Sequence, residues 1–321
     1  MEKRLNALLR LAISHHATDI HFTLYQNEMV IEMRINNAIR KVKIQNGDDK
    51  LIKYLQYLSN LDIGNIKIPQ TGQFEWYIDG KTLSLRFALI NTQSMINGVL
   101  RILNEDLDIN LNNLSYKESD REFFKKMLKK PNGLFLISGP TGSGKTTTLY
   151  TLLNSIKNKK IFTIEDPIEI YSNRFIQIGI NESINLGYDE AIKQVLRHDP
   201  DIIMIGEIRD EITAKMVVRA ANTGHLVIST IHAASSIGTI ERMLELGVEK
   251  GQLINALIGI SSQRLFKCKG TDRKMVIYET IDSEDIVKYC KYGYLDNGFI
   301  PLQKSIDEAY KNNIIEETAY Q

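Results

Sequence analysis

Gly139-Pro140-Thr141-Gly142-Ser143-Gly144-Lys145-Thr146 decides how this chain of 321 residues is read. It fits the pattern G-x-x-x-x-G-K-[ST], a loop whose glycines let the backbone curl until several N–H groups face phosphate oxygens. Its flanks suit that role. Leu134-Phe135-Leu136-Ile137-Ser138 reads as a short buried strand leading in. Thr147 to Leu153 continues as a helix, whose N-terminal end adds positive potential. In such a loop Lys145 reaches the β- and γ-phosphates of ATP or a relative, and Thr146 holds Mg²⁺ through its hydroxyl. The nucleotide-binding residues run from Gly139 to Thr147.

Outward from the loop, strands and helices alternate. Strands are predicted at 134–138, 161–165, 175–180, 202–206, 226–231 and 275–281. Helices are predicted at 119–129, 145–157, 188–197, 210–222, 235–246, 250–262, 283–291 and 302–312. This alternation predicts an α/β fold with a mostly parallel sheet and helices on both faces. The earlier part of the chain reads as a smaller α+β unit. Leu5, Leu8, Leu9 and Ala12 share one helical face, and residues 48–59 return to helical spacing. Strands are predicted at 20–24, 29–35 and 38–44, with a turn at Asn36-Asn37. A further pair, 73–78 and 83–90, is split by the hairpin signal Asp79-Gly80. The polar, asparagine-rich run 104–113 reads as a linker, which sets the domains at 1–110 and 111–321.

Three polar clusters follow the loop, each at the end of an apolar strand. In Thr163-Ile164-Glu165-Asp166-Pro167-Ile168-Glu169 three carboxylates bunch where parallel sheets bind ligands. An acidic turn stopped by Pro167 has the same composition, so the cluster alone does not fix a role. Asp199 to Asp210 contains an apolar strand ending in Gly206-Glu207. It is similar to a Walker B strand, whose carboxylates position Mg²⁺ and polarise water, but Gly206 stands where the usual Asp would be. The metal is therefore expected to be held mainly by Thr146 and the nucleotide, with Glu207 acting directly or through water; Thr146 and Glu207 are the candidate metal ligands. In Thr223 to Ala233, the residues Ser229, Thr230 and His232 are candidates for sensing the γ-phosphate.

Composition sets limits. A net charge of +1 gives no overall attraction to nucleic acid or an anionic membrane. Two cysteines, Cys268 and Cys290, cannot make a four-thiolate zinc site, and no zinc is expected. The polar N-terminus lacks the apolar core of a signal peptide, and no run reaches membrane-span length. The expectation is a cytoplasmic protein that meets the inner face of the cell membrane through a partner.

In order and spacing these clusters resemble the secretion-ATPase superfamily of type II secretion, type IV pilus and competence systems. Gly139–Thr146 is similar to its Walker A loop, Thr163–Glu169 to its Asp box, Asp199–Asp210 to its degenerate Walker B, and Thr223–His232 to its His box. Ala17-Thr18-Asp19-Ile20-His21-Phe22, Pro69 to Phe74 and Leu83 to Phe87 resemble signatures of its N-terminal PAS-like domain, and Ser262-Gln263-Arg264-Leu265 resembles a late QRL motif. The resemblance implies a RecA-like P-loop NTPase domain behind a PAS-like domain, a homo-hexameric ring, and ATP bound between the domains. It implies that Glu207 is a principal catalytic acid, that Glu165 is a second candidate for orienting water, and that His232 is the His-box histidine. Arg86 and Arg101 fall where that N-terminal domain offers arginines to phosphates, where a guanidinium stabilises charge on a transferring phosphoryl group.

The chain has neither the tetracysteine insert of many assembly ATPases nor the closing segment of retraction ATPases. By resemblance it is nearest the short competence ATPases of Gram-positive bacteria. Those drive assembly of a competence pseudopilus for DNA uptake and work on an inner-membrane platform protein; no direct nucleic-acid partner is expected at a net charge of +1, with a motor acting on DNA itself as a rival reading. Pilus retraction, type II secretion and a nucleotide-gated scaffold with little turnover remain open alternatives at this point.

Overall fold

In the computed structural model the chain divides into two units, residues 1–107 with 169–171, and residues 108–168 with 172–321. The structure describes all residues except 16, 27, 36, 37, 65–67, 93, 104–108, 171, 182, 183, 272, 297 and 319–321, and the side chain of residue 81. The turn predicted at residues 36 and 37 and the first half of the 104–113 run lie outside the described residues.

In the first unit α1 (Glu2–Ser14) buries Leu5, Leu8, Leu9 and Ala12, the face set by helical spacing. A 3-10 turn at Asp48–Lys50 leads into α2 (Leu51–Leu58), which buries Leu51, Ile52 and Leu55. These residues share a core with Ile20, Phe22, Ile31, Met33, Leu85, Phe87 and Leu100. The sheet beneath them is antiparallel throughout. Its six strands are β1 (Ala17–Tyr25), β2 (Glu28–Ile35), β3 (Ala38–Val42), β4 (Gln70–Ile78), β5 (Lys81–Asn91) and β6 (Met95–Ile102), in the spatial order β3-β2-β1-β6-β5-β4. Asp79 and Gly80 take φ of 50° and 83°, the pair of positive values that a tight hairpin turn between β4 and β5 requires.

Strand β6 is absent from the sequence reading, yet it sits at the centre of the sheet between β1 and β5. Asn97-Gly98 in its middle resembles a turn signal. Gly98 serves packing instead: an added Cβ would lie 2.7 Å from the Phe87 ring.

The second unit holds a seven-stranded sheet in the order β13-β12-β7-β11-β10-β8-β9. Its strands are β7 (Gly133–Ser138), β8 (Ile161–Glu165), β9 (Ile176–Gly179), β10 (Ile202–Ile208), β11 (Leu226–Ile231), β12 (Leu257–Lys267) and β13 (Lys274–Asp282). Every pairing is parallel except the one between β12 and β13. The helices are α3 (Glu118–Leu128), α4 (Lys145–Ser155), α5 (Tyr188–Val195), α6 (Glu211–Asn222), α7 (Ser236–Glu245), α8 (Lys250–Ala256), α9 (Ser283–Tyr292) and α10 (Leu302–Lys311).

Alternation along β7 shows how helices cover both faces of this mixed α/β unit. Leu134 and Leu136 join a core with Ala191, Val217, Ile240, Leu253 and Ile286, from α5 to α9. Phe135, pointing the other way, meets Phe123 and Phe124 of α3 at ring separations of 5.9 and 6.1 Å.

The predicted helix 250–262 is corrected by the structure: α8 ends at Ala256 and β12 begins at Leu257. Leu253, Ile254, Ala256, Leu257, Ile258 and Ile260 make an almost unbroken apolar run, which fits a buried helix and a buried strand equally. Pairing decides it, because β12 bonds to β7 on one side and to β13 on the other.

Candidate functional site

Four neighbouring parallel strands, β7, β11, β10 and β8, end along one edge of the second sheet. The glycine loop leaves β7, Glu165 closes β8, Glu207 stands near the end of β10, and His232 follows β11. Register holds Ser138 beside Ile231, and Ile231 beside Ile208. Segments far apart in the chain thus converge on the carboxyl edge, where parallel sheets bind ligands.

Within the loop, Gly139 takes a φ of 154°, and an added Cβ would come within 2.6 Å of Ser143 Oγ and 2.7 Å of the Gln263 carbonyl oxygen. Gly142 and Gly144 are also left-handed, at 79° and 84°. Gly144 is the N-cap of α4, so Lys145, Thr146 and Thr147 form its first turn. Pro140, Thr141 and Gly142 are exposed at the crest, whereas Ser143 is buried. The Lys145 ammonium donates to the carbonyl oxygens of Gly139 at 2.8 Å and Pro140 at 2.9 Å. A charged phosphate oxygen is a stronger acceptor than either carbonyl.

The residues present fit a triphosphate with Mg²⁺. Ser143 Oγ is buried against the loop and has no hydrogen-bond partner among the described residues. Thr146 and Glu207 offer the oxygen donors that this hard cation takes.

Glu207 is gripped at both oxygens. His232 Nε2 lies 3.0 Å from Oε1, and Arg209 Nη2 lies 2.8 Å from Oε2. Hydrogen bonding to Glu207 raises the Arg209 pKa further above its ordinary value. The other guanidinium branch lies 3.9 Å from Asp166 Oδ2. Sequence reasoning missed Arg209, which directly follows the last residue of β10, two positions after Glu207, and belongs to no motif of its own. Ser229 and Thr230 donate to the backbone oxygens of Ile205 at 2.8 Å and Gly206 at 2.6 Å. Their hydroxyls tie β11 to β10, while the His232 side chain remains 48% exposed. The glycine at 206 has a packing reason: an added Cβ would sit 3.3 Å from the Ile164 carbonyl oxygen of β8.

Glu165 is buried at 4% exposure. Its Oε1 accepts from Tyr150 OH and Thr163 Oγ1, both at 2.7 Å, and from Gln177 Nε2 at 3.4 Å. Tyr150 lies on α4, so Glu165 ties the tip of β8 to the helix that follows the loop. Nearby, burial and then the Asp166 charge push the Tyr188 phenol well above its usual pKa, keeping it protonated.

Arg86 and Arg101 belong to the first unit, where they face each other across β5 and β6. They are part of a polar row in register across five strands: Arg34, Asp19, Arg101, Arg86 and Gln73. Arg101 Nε donates to the buried Asp19 carboxylate at 2.7 Å, and Thr18 Oγ1 donates to its other oxygen at 2.8 Å. Among the described residues of both units, no helix is long and apolar enough to cross a membrane.

Comparison with known proteins shows the family. Type II secretion system protein E of Pseudomonas aeruginosa is 35% identical over 268 residues, covering 82% of this chain and 53% of that protein. The putative type II secretion system protein E of Escherichia coli K12 is 36% identical, with coverage of 82% and 54%. The chain therefore spans about half the length of the curated relatives it matches. Among solved structures, the pilus retraction motor PilT with bound ADP superposes with a TM-score of 0.74 at 25% identity, covering 97% of this chain and 94% of that one. The model of the type II/IV secretion system protein family matches residues 1–300, and the chain belongs to that family.

Proposed function

We propose that this chain is the ATPase subunit of a pilus- or secretion-type machine, hydrolysing ATP at the loop Gly139–Thr146. The observation that carries this reading is the convergence of that loop with Glu207 on one sheet edge, Glu207 being held by His232 and Arg209. The loop N–H groups and Lys145 bind the triphosphate. Thr146 and Glu207 would hold Mg²⁺, which would supply positive charge at the phosphates. Glu207 orients the attacking water and accepts its proton, with Glu165 fixing the strand tip beside it. The type II secretion relatives and the ADP-bound PilT structure support the same reading.

In this account residues 1–110 form a PAS-like domain and residues 111–321 a RecA-like ATPase domain. Arg86 and Arg101 supply guanidinium charge to the nucleotide of a homo-hexameric ring. The ring works in the cytoplasm on an inner-membrane platform protein and reaches the membrane through it. We assign the output to assembly of a competence pseudopilus, on the QRL segment and the two-cysteine composition. A type II secretion output is the second reading, favoured by the names of the relatives.

Steady-state phosphate release by the wild type and by Lys145→Ala tests the site. Release by the wild type and none by the variant is expected. Equal release by both would place hydrolysis elsewhere. Deletion of the gene separates the outputs, since loss of DNA uptake supports the first and loss of protein export the second.

A further inference from the structure

Gln263 lies outside every role described so far, yet it touches the loop at two points. Its side chain is fully buried on β12, and its Nε2 donates to the Ser143 carbonyl oxygen at 2.6 Å. Its own carbonyl oxygen occupies the space that a Cβ on Gly139 would enter. The next residue secures it. Arg264 Nη1 donates to the Gln263 carbonyl at 2.8 Å, and Nη2 donates to the Ala234 carbonyl at 3.0 Å, two residues beyond His232.

The geometry points to Gln263 as a positioning residue for triphosphate binding, with Arg264 joining the glycine loop to the His232 segment. A trans peptide is planar, so its C=O and N–H point in opposite directions. Fixing the Ser143 carbonyl on Gln263 therefore aims the Gly144 N–H away from β12. That N–H is one of the donors that a phosphate needs preorganised, because a loop that must first be ordered spends part of its binding energy on ordering. Ser143 is buried, so its carbonyl has no ready replacement partner in water. Arg264 serves through its fork: one planar guanidinium holds two carbonyls from separate segments in fixed directions, a geometry that a lysine's freely rotating ammonium does not impose.

The inference rests on the reading of Gly139–Thr146 as the ATP site, and the test separates the two. Gln263→Met keeps the volume of the side chain and removes the donor. It is expected to raise KM and the Kd for MgATP about tenfold, the scale of one lost hydrogen bond to a buried acceptor, with kcat falling less than about threefold. A purely architectural role predicts the opposite split: a smaller active fraction, hence lower apparent kcat, at unchanged KM. Should Gln263→Met not fold, Gln263→Asn, with its amide one methylene short, is expected to show the same rise in KM. Arg264→Lys is expected to lower kcat more than it raises KM, and Arg264→Ala to lower it further. Unchanged KM and Kd in a folded Gln263 variant, with normal binding by the wild type, would overturn this inference alone. Absence of MgATP binding by the wild type would overturn the site and the inference together.

Discussion

His232 Nε2 stands 3.0 Å from Glu207 Oε1, across the gap between the ends of β11 and β10. With Arg209 on the other oxygen at 2.8 Å, the carboxylate cannot turn without breaking one bond or the other. A carboxylate fixed in this way is suited to orienting water. Glu207→Gln keeps the shape and removes the proton acceptor. It is expected to lower kcat about 10²- to 10⁴-fold, the usual range for a general base, while Kd for ATP measured without Mg²⁺ changes little. Single-turnover hydrolysis alongside equilibrium binding checks both halves. Near-normal turnover would remove Glu207 from the chemistry.

Glu165 makes a different prediction because it is buried. Tyr150→Phe removes one donor to its Oε1 and leaves the carboxylate with Thr163 and Gln177. The expected cost is about 1–3 kcal/mol of stability, the penalty for depriving a buried group of a hydrogen bond. Urea unfolding of the second unit measures it. No shift in the midpoint would mean that the tie between α4 and β8 carries no energy.

Gly139→Ala places a methyl group where Ser143 Oγ and the Gln263 carbonyl already stand, at 2.6 and 2.7 Å. Its backbone angle of 154° adds strain for any side chain. The loop must shift, and MgATP affinity is expected to fall at least about tenfold while the melting temperature falls only a few degrees. Retained affinity would show that the loop does not need this shape.

Asp120 gives a pH prediction. It is 6% exposed, and burial pushes its carboxyl above the ordinary 3.8, partly offset by the Ser115 hydroxyl at 2.6 Å and the charges of Lys117 and Arg121. A raised carboxyl pKa means that the folded state binds the proton more tightly than the unfolded chain does. Below 3.8 both states are protonated and there is no cost; as pH rises through the raised folded value, stability is lost. Asp120→Asn stays neutral throughout. Its stability relative to wild type should rise from acid to neutral pH, as read by urea midpoints across that range. A difference that is flat with pH would contradict the assignment.

The strands that carry the site were legible because each pairs an apolar run with a polar tip. Leu134–Ser138 before glycine, Ile161–Glu165, Ile202–Glu207 and Leu226–Ile231 all have that form. The two strands that escaped, β6 and β12, contain Gly98 and Gly259. Gly98 looks like part of a turn but accommodates the Phe87 ring, and Gly259 sits in an apolar run that fits helix and strand alike and accommodates the Met127 and Phe123 side chains. Such close approaches depend on neighbours brought in by folding and leave no local periodicity. The grip on Glu207 was half legible, since His232 follows an apolar strand whereas Arg209 carries no motif signal of its own. Gln263 was visible only as a motif letter. Its partner is a backbone carbonyl 120 residues away, and a carbonyl has no sequence signature.

The central claim is that Gly139–Thr146 takes up a triphosphate with Mg²⁺. Calorimetric titration of the folded wild-type chain with ATP, in magnesium and then in chelator, tests it most directly. Saturable binding that weakens strongly on chelation and disappears in Lys145→Ala is the expected result. No measurable uptake by the wild type, or equal uptake by Lys145→Ala, would contradict it.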